Sequence, residues 1–432
     1  MEVLRMSKVT VIIVTSLLFI SGCSQSNHSG GAVESQQKTI EFMHLWPSGS
    51  STTHYRVVEE IIEAFESENP GIVINAEPID NEQYKDRMTV LSSANNLPDV
   101  GFTWAAGYLE PFVEGGRIAP LDQLLAEDLK DAFVPGTVEA FQMEGATYGL
   151  PLELNIAPIY FNKSLFIEAG VQVPSTYEEF LGVIQVLLEH NITPITVGNR
   201  DAWTGSLWYM YLADRYGGAS ALTQAINRTG SFTEQSFVEA AREIQNLVDQ
   251  NAFVTGFNGL SNDEAKAEFL NGNAAMYLMG SWDLPEFTTN EANSQEFRDS
   301  IDYFKFPTVA GGAGDIESWV GGPGVGLYVA ENSDVKDEAL AFVKFFIEKW
   351  GEKAVTEVGV IPATKVDTEV LDIHEMYIKI LKDLNQASHI TLFADVQMSP
   401  AVAQIHLNLI QALFGQEVTP EQFALEHEEA FE

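Results

Sequence analysis

One cysteine occurs in 432 residues, at position 23. With no second thiol to pair with, a disulfide framework is excluded, and the fold must stand on its apolar core. Positive charge is scarce too: 23 Lys and Arg stand against 62 Asp and Glu, a formal net charge of −39. Such a field repels polyanions and sets nucleic acid aside as a partner. It suits a surface facing a saline or alkaline exterior. Beyond the N-terminus no stretch approaches the roughly 18 apolar residues of a membrane-spanning helix. Catalytic signatures are missing as well. His374-Glu375 opens a metalloprotease-like run, but Ile378 stands where the second His ligand is needed. The run 321–326 precedes a strand pattern rather than a helix, so it is no dinucleotide fingerprint. There is no Gly-x-Ser-x-Gly elbow and no dedicated calcium loop. No metal and no cofactor is expected.

What is present begins at the N-terminus. Arg5 and Lys8 precede "VTVIIVTSLLFI", residues 9–20, an uncharged run of signal-peptide length. It leads into Ile20-Ser21-Gly22-Cys23, which resembles the bacterial lipobox. That resemblance implies a signal peptide over 1–22 and lipidation of Cys23 at the new N-terminus. The Ser/Gly/Gln-rich tract up to residue 37 cannot bury apolar surface and reads as a flexible tether. The thiol is then an attachment point, and the body is held at a membrane through its lipid alone.

From residue 38 onward the apolar period switches repeatedly between two and 3.6. Ile40 and Phe42 alternate with polar neighbours as in a strand. Apolar pairs at 57/58 and 61/62, then Phe65, mark one helix face, capped by Thr52 or Thr53 and stopped by Pro70-Gly71. Strand patterns at "IVINAEPI", "PDVGFTW", "ITPITVG" and "GVGLYVA" alternate with helix patterns at 82–94, "YEEFLGVIQVLLEHN" and "DEALAFVKFFIEKW". Alternation of this kind predicts an α/β fold with mostly parallel sheets.

Residues 148–180 carry a more specific signal. Tyr148-Gly149-Leu150-Pro151, Tyr160-Phe161-Asn162-Lys163, Leu165-Phe166, Ala169-Gly170-Val171, Pro174, Thr176 and Glu178-Glu179-Phe180 stand in order. This pattern resembles extracellular solute-binding protein family 1, the sugar-capturing subunits of bacterial ABC importers. "GNAAMYLMGSW", "GVIPAT" and "VTPEQFALE" agree with it, so the resemblance spans about residues 38–432. It implies a two-lobed, periplasmic-binding-protein-like α/β fold of type II, hinged between lobes. One lobe would take 38–150 plus 323–358, the other 151–322 plus 359–432, with "YGLPLE" and "WVGGPG" as crossings. It also implies an ABC-transporter permease as partner, a monomer, no catalysis, and a place on the outer face of the cytoplasmic membrane.

A sugar offers flat C–H faces and a rim of hydroxyls, so its site needs aromatic platforms and short polar groups. Trp46, Trp104, Trp203, Trp282 and Trp319 lie at strand ends or in loops, where open α/β sheets bind ligands. The resemblance raises Trp282 and Trp319 furthest. Trp208 lies within a helix pattern and reads as packing, and Trp350 ends one and reads as core or surface. Polar candidates are Glu153 and Asn155, alternating along one strand, then Asp283, Asp395 and Asp201. The expected ligand is a carbohydrate, an oligosaccharide. The alternatives are an extracellular glycosidase, or a binder of a polyamine or glycerol phosphate. The lipid anchor has a direct test. Cys23→Ala is expected to release the protein from membranes, and a variant that stays in the membrane pellet after a salt wash would overturn it.

Overall fold

The computed structural model describes residues 37–431 apart from 127, 128 and 130. The expected leader, Cys23 and the tether up to residue 36 lie outside the described residues.

The alternation at 38–44 does form a strand, Lys38–His44, with Ile40 and Phe42 buried. It is central to three parallel strands. Ile72–Pro78 lies on one side, Lys38 opposite Ile72, and Val100–Thr103 on the other, Phe42 opposite Val100. Helices Thr52–Glu68 and Asn81–Ser93 make the crossovers. Val57, Val58, Ile61, Ile62 and Phe65 form the buried face of the first. That helix starts behind Ser51 rather than behind a capping threonine; the Thr52 hydroxyl instead donates to the Ser48 carbonyl at 2.9 Å. The sheet is completed from far along the chain by Gly326–Val329 and Leu150–Pro151, both antiparallel to their neighbours.

A second sheet has the order Ile301–Phe304, Ile159–Asn162, Met276–Leu278, Ile195–Thr196. Only its last pair is parallel. The expectation of mostly parallel sheets is therefore corrected. A single-helix crossover returns the chain to run parallel. Here the strands beside Ile159–Asn162 arrive after long helical excursions and enter from the opposite end.

Between the two sheets, Ser318–Pro323 pairs antiparallel with Leu154–Ile156 and parallel with His389–Thr391. Gly321 lies opposite Ile156 so closely that a Cβ there would sit 2.2 Å from the Asn155 carbonyl oxygen. Only glycine fits. Among the described residues, no helix is long and apolar enough to cross a membrane.

The C-terminal helices Pro400–Phe414 and Pro420–Glu429 meet through two fully buried imidazoles. His406 Nδ1 lies 2.7 Å from His427 Nε2, the Ser206 hydroxyl 2.7 Å from His406 Nε2, and His427 Nδ1 2.9 Å from the Phe423 carbonyl. Burial holds both rings down to about 3, and His406 adds to the effect on His427. Burial does the same to His44. The folded protein takes protons on these rings only near pH 3, whereas the unfolded chain takes them near pH 6.5. Stability is thus expected to be intact above about pH 6.5 and to fall below it, by up to about 1.4 kcal/mol per ring per pH unit. Urea unfolding between about pH 4 and about pH 7.5 measures this. His427→Gln should flatten the slope, and an unchanged slope would show that the pair does not titrate on unfolding.

Candidate functional site

A cleft of about 410 Å³ opens between the first and second sheets. The crossing segments contribute Glu153, Asn155, Gly324 and Val325. The first sheet's loops bring Trp46, Trp104 and the start of helix Asn81–Ser93. The opposite wall comes from the start of helix Trp203–Gly217, the start of helix Asn262–Leu270, the turn Ser281–Asp283 and the segment 393–396.

Each aromatic ring is held by a neighbour. Trp203 opens its helix behind Ala202, which carries a Cβ at φ +60°, a conformation that costs energy and persists only where packing enforces it. Trp282 folds back over Gly280, where a Cβ would sit 2.3 Å from the indole. Trp203 and Trp282 meet edge to face, centroids 6.0 Å apart at 62°, and Trp282 meets Phe393 at 5.6 Å and 61°. On the facing wall, Trp104 packs edge-on against Tyr108 and lies under the Lys85 ammonium at 5.1 Å. Trp46 is only 5% exposed. It stacks on Trp350 at 4.9 Å and 8°, with the His54 ring tilted against it at 4.7 Å and 38°.

The polar groups are equally fixed. Glu153 Oε1 lies 3.2 Å from His54 Nε2, and both residues are buried. The Ser281 hydroxyl donates to Asn155 Oδ1 at 2.9 Å. Asp283 accepts from the Tyr277 hydroxyl at 2.9 Å and from Lys266 at 3.3 Å. Asp395 lies 3.6 Å from Lys85. Burial pulls the Lys266 ammonium down, but Asp283, Asp263 and Glu286 outweigh it, so its pKa stands above the ordinary lysine value. Burial pushes the Glu82 and Asp263 carboxyls up, with facing carboxylates adding to both. Among the described residues, no group of three or more His, Cys, Asp or Glu side chains is placed to hold a metal ion.

The structure therefore brings Trp46, Trp104, Trp203, Trp282, Glu153, Asn155, Asp201, Asp283 and Asp395 to one cleft. Trp319 is not among them, and its expected role as a platform is corrected. It is 1% exposed, the second residue of Ser318–Pro323, opposite Ile390, on a strand buried along both faces. Trp208 and Trp350 lie in the core. Trp350 nevertheless matters to the cleft, because it backs Trp46. Sequence reasoning missed Lys85, Lys266, Arg200, His54 and Phe393. Its one available signal was the scarcity of cations, which makes three at a single cleft unusual.

A family profile described as bacterial extracellular solute-binding protein matches residues 48–351. A solved structure from work on xylan utilization by the thermophilic bacterium Caldanaerobius polysaccharolyticus superposes with a TM-score of 0.85 at 32% identity, covering 90% of this chain and 99% of that one. The maltose/maltodextrin-binding domain MalE of Bdellovibrio bacteriovorus, bound to maltotriose, shares the fold with a TM-score of 0.73 at 17% identity, covering 91% and 98%. The multiple sugar-binding protein of Streptococcus mutans is 23% identical over 343 residues, 78% of this chain and 76% of that protein. The two solved structures have the two-lobed α/β architecture expected from the sequence.

Proposed function

The chain belongs to the bacterial extracellular solute-binding protein family, and on that premise we propose that it captures an oligosaccharide in the cleft and delivers it to the permease of an ABC importer. The family places it outside the cytoplasm and consists of binding proteins rather than enzymes, which removes the glycosidase alternative. We assign the two lobes as 38–150 plus 323–358 and 151–322 plus 359–432, closing about the crossings at 148–153 and 319–324. The lipid on Cys23 would hold this monomer at the outer face of the cytoplasmic membrane, within reach of the permease.

One observation carries the reading. The cluster Trp203, Trp282 and Phe393 presents aromatic surface beside the acceptor oxygens of Asn155, Asp283 and Asp395. Aromatic faces match the C–H faces of a pyranose, and carboxylate and amide oxygens match its hydroxyls. The cleft's volume falls within the range of small-molecule sites. The neighbour from xylan utilization, at 32% identity, and the multiple sugar-binding relative support a carbohydrate ligand. Calorimetric titration across mono- and oligosaccharides is expected to give saturable binding. Heat with glycerol phosphate or a polyamine, and with no sugar, would overturn the reading.

Truncation separates platform from core. Trp282→Ala should weaken binding by about 2–4 kcal/mol, roughly thirty- to a thousand-fold, as for other desolvated aromatic anchors. Trp319→Ala should instead lower stability by about 3–5 kcal/mol and leave the affinity of the folded fraction unchanged. Melting and titration of both variants test this. A Trp282→Ala protein that binds like the wild type would place the ligand elsewhere.

A further inference from the structure

Three cations line the cleft, and each is held by two carboxylates. Lys85 lies 3.8 Å from Glu82 and 3.6 Å from Asp395. Lys266 lies 3.8 Å from Asp263 and 3.3 Å from Asp283. Arg200 lies 3.4 Å from Asp201 and 3.6 Å from Glu264. Each cluster is a cation outnumbered two to one. Lys266 is the most enclosed of the three, with 12% of its side chain exposed beside an Asp283 with 8%. The remaining lining carboxylates, Asp80 and Glu286, add to the excess, and Glu153 lies against His54. The effect is visible in the carboxyls themselves. Burial and facing negative charge raise Glu82 and Asp263 despite their lysines.

We infer that the cleft accepts uncharged oligosaccharides and rejects those bearing a carboxylate, that is, uronate-substituted chains. This rests on the carbohydrate reading above. A ligand carboxylate would need a cation of its own inside a partly desolvated cleft. Each ammonium or guanidinium it met would already neutralise one carboxylate and sit against a second. The incoming charge would add a third anion to a cluster that is negative before it arrives, and like charges brought together in a binding site discriminate strongly. Hydroxyls meet no such penalty. The same carboxylates accept hydrogen bonds from them while keeping their lysine partners.

The experiment is calorimetric titration of the full-length protein. Neutral xylo-, cello-, malto- and N-acetylchito-trisaccharides are screened first. The tightest is then compared with the same backbone carrying one uronic acid, and with the methyl ester of that uronic acid. The ester has nearly the same shape without the charge. The uronate is expected to bind about 100-fold more weakly than the ester. The gap should narrow in about 0.5 M NaCl, where charge is screened. It should also narrow in Asp395→Asn, which leaves Lys85 one carboxylate and room for another. Equal affinity of acid and ester overturns the inference, whether both bind or both are rejected on size. Failure of every neutral trisaccharide while a charged solute binds overturns the carbohydrate reading itself, and this inference with it.

Discussion

The cleft depends on one crossing of backbones. Leu154–Ile156 and Ser318–Pro323 run side by side between the two larger sheets, and Gly321 lets them approach to a distance no other residue permits. Asn155 is carried into the cleft because its strand is pinned there, and Glu153, one residue before that strand, is held by its own bridge to Pro362. The crossing is also tied to the wall that bears the platforms. Arg215, fully buried on helix Trp203–Gly217, donates to the Ser318 and Phe306 carbonyls, each at 3.0 Å, and pairs with Asp214. Asp214 in turn accepts from the Ser318 hydroxyl at 2.6 Å. A buried ion pair of this kind adds little net stability over an apolar replacement, but breaking it strands a charge, at a cost of about 3–5 kcal/mol. Helix and strand are therefore held in a single relative position, and Trp203 at the helix start shares it.

Such fixing bears directly on affinity. A platform that must be ordered when ligand arrives loses part of its contact energy to side-chain entropy. Here Trp282 lies folded over Gly280 and wedged between Trp203 and Phe393, and Trp46 lies flat on Trp350. The ring faces are set by the protein's own contacts. On the wall nearer the first sheet, Trp104 is braced differently, by the edge of Tyr108 and the Lys85 ammonium. Lys85 serves that ring and the Glu82–Asp395 pair at once, so a change in the cluster would be felt at the platform.

Local periodicity made the elements legible. Helix Thr52–Glu68 follows from its apolar pairs, and Lys38–His44 from its alternation. Pairing direction was not legible, because it depends on where the chain re-enters a sheet after several helices. Residues 148–180 pointed to the family and so to the two-lobed fold. The cleft residues were partly legible for a physical reason: tryptophans at strand ends usually face the sheet's open edge. Trp319 breaks that rule because its strand is covered on both faces, and one sequence does not reveal what a distant segment covers. Lys85 and Lys266 were hidden for the opposite reason. A lysine among many acidic residues on a helix reads as a solvated surface, and only the packing of helix against turn shows that Lys266 is enclosed.

The excess of negative charge then takes on two different meanings. Over the outer surface it is a property of composition, screened within about 10 Å at ordinary ionic strength and compatible with many ligands. Inside the cleft Glu82, Asp395, Asp263, Asp283 and Asp201 are each set against a particular cation, and partial burial weakens the screening. A neutral sugar entering such a site does not strip charges of their partners. Its hydroxyls would take up lone pairs that the lysines leave free, and the Trp203–Trp282–Phe393 cluster would supply the apolar contact. On the proposed reading the clusters would orient the ligand without binding its charge, and one arrangement of side chains would provide both hydrogen-bond acceptors for hydroxyls and a barrier to anions.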